Sequence, residues 1–197
     1  MTKHKRPYDL GANVMDDING RKVAFLCTDG VEQIELESPW SAVEKAGGTP
    51  TLVGLKPDAI QAFQHLDKGD SKPVEKVVSD VSVDDFDALV LPGGVINGDF
   101  VRADATAVQF VKSFMDEAKP VAAICHGAWV LAEANAIMGK TMTSYPSLQT
   151  DLRNAGATWV DKPVVVDRGL VTSRKPADLP QFCEKLLEEV SEGVHAR

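Results

Sequence analysis

A cysteine and a histidine stand side by side where an apolar segment ends. Residues 121–124 read Val-Ala-Ala-Ile, and Cys125, His126 and Gly127 follow directly. A cysteine thiolate is a strong nucleophile, and an adjacent imidazole can take up or return its proton. The pattern predicts a strand that meets a helix without a linker, and open parallel sheets carry their sites at such strand ends. We therefore predict that Cys125 is a reactive nucleophile and that His126 is its partner.

The backbone must bend sharply between strand and helix for these two side chains to cooperate. Neighbouring residues point to opposite faces of a strand, and on a helix they do not face each other. Gly127 removes a side chain where the bend is most crowded. A helix N-terminus and a nearby imidazolium both stabilise a thiolate, so we expect a lowered pKa at Cys125. The alternative is a buried structural cysteine, which we assign to Cys27 and Cys183.

Two glycines follow another apolar segment, residues 88–91, after Pro92. The backbone N–H groups of Gly93 and Gly94 could face an anion, as an oxyanion hole requires, although an ordinary tight turn is the alternative. Asp99 falls in the loop that we expect after these glycines. It is either an acid of the site or a turn or helix-capping residue.

Two glutamates follow the first predicted strand and share its edge of the sheet with Cys125. Glu32 and Glu35 lie in the segment 29–36, and either carboxyl group could hydrogen-bond the sulfur. The alternative is a helix whose first turn is enriched in acids, which the helix dipole favours. The residue types alone leave both interpretations open.

Apolar strand-like segments alternate with helical ones along the chain. Strands are predicted near residues 22–27, 49–55, 87–91 and 120–124, with a hairpin at 164–172. Helices are predicted at 33–46, 104–118, 128–138, 147–155 and 177–190. This alternation predicts an α/β fold, a three-layer sandwich with a mostly parallel central sheet. We expect residues 1–20 to form a loose N-terminal arm and residues 21–197 a single domain.

Charge and cysteine usage exclude several classes of protein. The net charge is −8, which argues against nucleic acid or an anionic membrane as a partner. Three widely spaced cysteines without a CxxC pair predict reduced thiols rather than disulfides or a zinc site, and so a cytoplasmic location. No signal peptide, membrane span, P-loop or GxGxxG motif is present, and the four histidines lack metal-binding spacing. We therefore expect neither a cofactor nor a metal.

Taken together, these segments resemble the PfpI family of intracellular proteases and amidases. That family belongs to the class I glutamine amidotransferase-like superfamily, which also holds the Parkinson-associated deglycase. The resemblance spans about residues 21–190. The matching segments are 29–36 (DGVEQIEL), 88–94 (ALVLPGG), 123–127 (AICHG), 143–147 (TSYPS), 154–161 (NAGATWVD) and 171–180 (VTSRKPADLP).

The resemblance implies a flavodoxin-like fold and a role for each matching residue. It implies that Cys125 is the nucleophile with His126 as its partner, and that Glu32 is the acid against the sulfur. It places Asp99 as the acid that completes a triad, in some members across a subunit boundary. On the substrate side, the resemblance implies an oxyanion-hole turn at Gly93 and Gly94 and a substrate-binding residue at Tyr145. Members of the family form dimers or larger assemblies, so a homodimer or higher homo-oligomer is expected.

Three functions remain in competition. The first is a cysteine hydrolase of peptide or amide bonds, in which Cys125 attacks the carbonyl and His126 acts as general base and acid. The second is a glyoxalase or deglycase, in which Cys125 forms a hemithioacetal with a methylglyoxal-type carbonyl. The third is a non-enzymatic redox sensor, because an exposed thiol of low pKa is readily oxidised.

Overall fold

A seven-stranded sheet forms the centre of the molecule. The computed structural model describes residues 17–195, so most of the predicted arm, residues 1–16, lies outside the described residues. Ile18 belongs to the predicted arm, yet it is buried in the core, and its N–H donates to the carbonyl of Ala46. The packed part of the chain therefore already includes Ile18.

Strands and helices alternate along the chain. The strands are β1 (Lys22–Leu26), β2 (Thr49–Gly54), β3 (Ala59–Gln64), β4 (Asp67–Pro73), β5 (Lys76–Val77), β6 (Ala88–Leu91), β7 (Val121–Ile124), β8 (Thr141–Met142), β9 (Thr158–Trp159), β10 (Val164–Asp167) and β11 (Leu170–Ser173). The helices are α1 (Gln33–Lys45), α2 (Val95–Ala103), α3 (Ala105–Asp116), α4 (Ala128–Glu133), α5 (Gln149–Asn154) and α6 (Leu179–Glu192).

The predicted three-layer α/β fold with a mostly parallel sheet is confirmed. The strand order is β10-β11-β7-β6-β1-β2-β5, and every neighbouring pair is parallel except β10 with β11. One face of the sheet packs on α2, α3 and α4 through residues such as Phe114 and Leu131. The other face packs on α1 and α6 through residues such as Val43 and Phe182. The central strands β6 and β7 are buried along their whole length, as strands covered on both faces must be.

Two segments differ from the sequence-based prediction. The chain between residues 56 and 73 forms an antiparallel hairpin, β3–β4, that we did not predict. Most residues of β4 are polar and exposed, so this strand lacks the apolar alternation on which a strand prediction depends. The prediction of a loop around Asp99 is wrong, because residues 95–103 form α2. The pair Asn97-Gly98 made this helix difficult to predict, since neither residue favours a helix interior.

The parallel strands bring three loops together at one edge of the sheet. β1, β6 and β7 are neighbours and run in the same direction, so the loops that follow them meet beyond their carboxyl ends. These loops carry the acids of residues 29–36, the turn at 92–94 and the pair Cys125-His126. The fold therefore assembles the residues that the sequence analysis selected.

Candidate active site

Cys125 occupies a strained turn between β7 and α4. Its φ angle is +60°, a left-handed conformation that costs a residue other than glycine roughly 1–3 kcal/mol. Gly127 permits this bend, because a Cβ there would lie 2.2 Å from the carbonyl oxygen of Leu91. The sharp turn predicted between strand and helix is present. It leaves the Cys125 side chain 8% exposed, at the wall of a pocket.

His126 lies beside the sulfur. Its Nδ1 is 3.3 Å from Sγ of Cys125, and its Nε2 is 3.4 Å from Oγ of Ser147. The imidazole stacks on Tyr145 with ring centroids 4.7 Å apart, and it meets the ring of Trp129 edge-on. Burial lowers the pKa of His126, so the ring is neutral at pH 7 and can accept a proton.

Glu35 is the acid that lies against the sulfur. Its side chain is 0% exposed, and its nearest polar neighbours are the Cys125 thiol and the Gly93 amide. Neither contact has regular hydrogen-bond geometry, and both carboxylate oxygens lack a partner among residues 17–195. Burial, together with the charge of Glu32, raises the pKa of Glu35 to about 8. Near pH 7 this side chain is therefore a neutral acid beside the nucleophile.

The expected lowering of the Cys125 pKa is not what the structure indicates. Burial and the negative charge of Glu35 raise the pKa of the thiol, and these effects outweigh the N–H groups of Gly94 and His126, which point toward the sulfur. Two acids in one buried site cannot easily both be charged, so Cys125 and Glu35 titrate as a pair. The singly charged pair can hold its proton on either group. A thiolate is therefore compatible with a Glu35 that keeps its proton.

Glu32 does not take the place that the resemblance implied. Its Oε2 accepts a hydrogen bond from the backbone N–H of His65 and lies 3.6 Å from Nδ1 of that residue. Glu32 is the N-cap residue of α1, and Glu35 is one turn further along the helix. Both side chains border the pocket, but Glu32 is 13% exposed, whereas Glu35 is fully buried beside the sulfur. The expectation for Glu32 is thus corrected in favour of Glu35, the other residue that the sequence offered.

The two glycines hold different positions. A Cβ at Gly93 would lie 2.1 Å from Oε2 of Glu35 and 2.6 Å from Cβ of Cys125, so only glycine fits between them. Gly94 has a φ of +94°, and a Cβ there would lie 2.2 Å from the carbonyl oxygen of Gly30. The Gly93 N–H faces Glu35, and the Gly94 N–H faces the sulfur. Of the two predicted anion donors, Gly94 is therefore the one directed at the reacting atom.

Asn97 supports this turn, and the sequence analysis did not select it. Its side-chain NH₂ donates to the carbonyl oxygens of Pro92 and Gly93 at 3.0 Å each, and its Oδ1 accepts from the N–H of Thr28 at 2.8 Å. The side chain is 2% exposed. It thus joins the end of β1 to the glycine turn. An asparagine next to a glycine reads as a turn, so the sequence held no signal for this role.

Asp99 is exposed on α2 and does not reach the histidine. No hydrogen bond or ion pair joins Asp99 to His126 within residues 17–195, and Ser147 occupies the position next to Nε2. Gly98 packs closely on the backbone of His126, so α2 itself touches the site. A triad with Asp99 is therefore not formed inside one chain.

The pocket in front of Cys125 has a volume of about 800 Å³. The β3–β4 hairpin contributes Phe63, His65 and Leu66 to one wall. The other side carries aromatic, hydroxyl and cationic groups, from Trp129, Tyr145, Ser147 and Lys175. Tyr145 thus borders the pocket, as expected from the resemblance. Among the described residues, none that lines the pocket belongs to a three-residue group able to share a metal ion.

Comparisons with known proteins agree with this architecture. Residues 21–189 match the model of the DJ-1/PfpI family. The chain is 43% identical over 162 residues to "Putative cysteine protease YraA" of Bacillus subtilis, covering 82% of this chain and 94% of that protein. It is 38% identical over 168 residues to "Protein/nucleic acid deglycase 2" of Escherichia coli, covering 85% and 96%. The crystal structure of Drosophila melanogaster DJ-1beta superposes with a TM-score of 0.78 at 29% identity, covering 87% of this chain and 90% of that one. Within residues 17–195, no helix combines the length and hydropathy needed to cross a membrane.

Proposed function

The chain belongs to the DJ-1/PfpI family, and from that premise we propose that it is an enzyme whose Cys125 adds to the carbonyl carbon of small reactive aldehydes of the methylglyoxal type. The observation that carries the proposal is the contact between Cys125 and the buried carboxyl of Glu35, whose pKa is about 8. A general acid–base works best when its pKa is close to the working pH. Glu35 meets this condition, and it lies beside the atom that reacts.

The chemistry needs one nucleophile and one group that moves protons. The thiolate of Cys125 forms a C–S bond to the aldehyde carbon, and the carbonyl oxygen takes up the proton of Glu35 to give a hemithioacetal. Glu35, now a carboxylate, takes the proton from the former aldehyde carbon and returns it to the neighbouring carbon, while the hydroxyl proton passes to the neighbouring oxygen, which leaves a thioester. Water cleaves that thioester, releasing a hydroxy acid and the free thiol. No external oxidant or reductant is required, because one carbon is oxidised while its neighbour is reduced.

The names of two relatives support two different reactions, so the test must compare both. Purified protein is assayed on methylglyoxal and on a panel of peptide amides, with Cys125→Ala as the control that lacks the nucleophile. We expect turnover of methylglyoxal that disappears in Cys125→Ala and falls at least about 100-fold in Glu35→Gln. Methylglyoxal turnover that survives in Cys125→Ala would overturn the proposal.

A second candidate, peptide or amide hydrolysis, is favoured by the surroundings of His126. A cysteine hydrolase needs a third group that orients the histidine, and within residues 17–195 Nε2 of His126 has only Ser147 near it, at 3.4 Å. The exposed side chains of Val95, Ile96 and Phe100 lie on α2 next to Asp99. An exposed apolar surface of this kind is typical of a contact with another chain. In a homodimer through α2, Asp99 of the partner subunit would be the acid that reaches His126.

Measurements of molecular mass and of amide turnover together test whether the protein is a peptide or amide hydrolase. Light scattering of wild type should show a dimer or larger assembly, and Phe100→Asp should shift it toward the monomer. If hydrolysis depends on the assembly, Asp99→Asn and Phe100→Asp should both lower amide turnover while methylglyoxal turnover persists. A wild-type monomer with full amidase activity would exclude a role for Asp99 across subunits. The three free thiols, Cys27, Cys125 and Cys183, support a reducing, cytoplasmic location for either reaction.

A further inference from the structure

Two carboxylates and an imidazole converge where α6 ends, on residues that the catalytic proposal does not use. Glu189, Glu192 and His195 each direct one possible ligand atom into a space where these atoms lie within 4.8 Å of one another. Glu189 and Glu192 are one turn apart on the helix, and Gly193, with a φ of +79°, ends the helix and turns the chain. This turn brings His195 back over the two acids.

The position of His195 is fixed by two further contacts. Its backbone N–H donates to the carbonyl oxygen of Ala118 at 3.0 Å. Its imidazole packs so closely on Gly169, in the β10–β11 turn, that a Cβ there would lie 2.7 Å from the ring. The ring is therefore held in place by parts of the fold far from it in sequence, and its side chain is 17% exposed.

The atoms that face each other in this cluster have no regular hydrogen bond. Nε2 of His195 and Oε2 of Glu189 are 2.9 Å apart, yet both are buried and without a hydrogen-bond partner among the described residues. The Glu189 side chain is only 7% exposed. A buried polar atom without a partner costs free energy, roughly 1–3 kcal/mol, unless another group satisfies it. The nearest lysine on this helix, Lys185, makes its short contact with Glu188 and acts on Glu189 only at longer range.

We propose that Glu189, Glu192 and His195 form a binding site for a divalent transition-metal ion. Imidazole and carboxylate together suit ions such as Zn²⁺, whereas Mg²⁺ prefers oxygen ligands alone. Ligand atoms lie about 2.1 Å from such an ion. Two of them 2.9 Å apart therefore subtend close to a right angle at the ion, which leaves room for water in a five- or six-coordinate shell. Glu192 is exposed, and its ligand oxygen lies within 4.8 Å of the ligand atoms of Glu189 and His195, so it closes the site from the solvent side.

A bound ion would connect the end of α6 to two other parts of the chain. His195 is held by the carbonyl of Ala118 and by Gly169, so the ion would fix the C-terminal turn against the loop before β7 and the β10–β11 turn. An ion that binds only the folded chain raises the free energy of unfolding by mass action. The site thus predicts metal-dependent stability that is independent of Cys125.

The test measures Zn²⁺ affinity by competition with a chromophoric chelator. The parent protein carries Cys125→Ser, because a reactive thiol also binds zinc. We expect one Zn²⁺ per chain, a higher melting temperature with Zn²⁺, and little response to Mg²⁺. Each of His195→Gln and Glu189→Gln should weaken Zn²⁺ binding at least about 10-fold, since even loss of a second-shell partner has that effect.

The controls use two other histidines of the same chain. His65→Gln and His4→Gln, in the same Cys125→Ser parent, should bind Zn²⁺ as the parent does. Circular dichroism checks that Glu189→Gln, which keeps the shape of the side chain, is folded. If the parent binds no Zn²⁺ below millimolar concentration, or if His195→Gln binds as tightly as the parent, the cluster is only an ion pair and the proposal fails.

Discussion

Glu35 lies behind the sulfur of Cys125 with its carboxyl group fully enclosed. It is one helical turn beyond Glu32, the residue that the family resemblance placed there. Gly93 leaves the space for this contact, since a Cβ would lie 2.1 Å from the carboxylate. The first turn of α1 thus carries two acids with different surroundings. Glu35 meets the thiol, and Glu32 meets the backbone of the β3–β4 hairpin at His65.

This arrangement predicts opposite results for the two acids when each is replaced by glutamine. Gln at position 35 keeps the size of Glu and can donate a hydrogen bond to the sulfur, but it cannot transfer a proton. Glu35→Gln should therefore lower turnover about 100-fold or more, the usual contribution of a general acid–base. Glu32→Gln is the matched control and should stay close to wild type. Equal losses in both variants, measured as kcat on methylglyoxal, would contradict the assignment of Glu35.

The free energy of unfolding should depend on pH because Glu35 titrates differently in the folded and unfolded states. Its pKa rises from 4.5, the ordinary value, to about 8 on folding, because burial disfavours the charged carboxylate. The folded state thus binds more protons than the unfolded state between these values, and stability falls as pH rises through this window. The loss approaches about 1.4 kcal/mol per pH unit as an upper limit. Urea unfolding should give wild type a lower free energy of unfolding at pH 8 than at pH 5. The difference between the two pH values should be smaller in Glu35→Gln.

The pairing of Cys125 with Glu35 also predicts how the three cysteines react with iodoacetamide. Burial raises the pKa of all three thiols, but Cys125 borders the pocket and lies beside Glu35, which can share its proton, whereas Cys27 is 0% exposed. Cys125 should therefore be alkylated first. Its rate should rise as the pH passes about 8, where the pair with Glu35 begins to lose its first proton. Mass spectrometry of tryptic peptides after short exposure identifies the modified residue. Equal labelling of all three thiols in the folded protein would show that the pocket confers no selectivity.

The sequence predicted the fold and the position of Cys125 at a strand–helix junction well, because both depend on local patterns. The apolar segments before Pro92 and Cys125 are typical of buried parallel strands, and such strands place their following loops at one edge. The left-handed turn at Cys125 follows from the direct junction of strand and helix. These features require no knowledge of distant contacts.

The sequence did not allow us to predict which acid contacts the sulfur or which residue supports the glycine turn. Glu32 and Glu35 are both near the start of α1, and only the packing of Gly93 against the helix separates them. Asn97 acts through hydrogen bonds to backbone groups of two other segments. Asp99 was placed from family resemblance, and within one chain the structure leaves it exposed. Each of these depends on tertiary contacts that periodicity and composition do not encode.

Asn97 gives the last prediction, because three of its hydrogen bonds hold the glycine turn against β1. Asn97→Ala leaves the N–H of Thr28 and the carbonyl oxygens of Pro92 and Gly93 without this partner. Each buried group that loses its partner costs about 1–3 kcal/mol, so urea unfolding should show a loss of roughly 2–4 kcal/mol. The turnover of methylglyoxal should also fall, since the turn positions Gly93 against Glu35. Asn154→Ala, at the exposed end of α5, is the matched control and should change stability by less than about 0.5 kcal/mol. If both variants unfold at the same urea concentration as wild type, Asn97 does not support the turn.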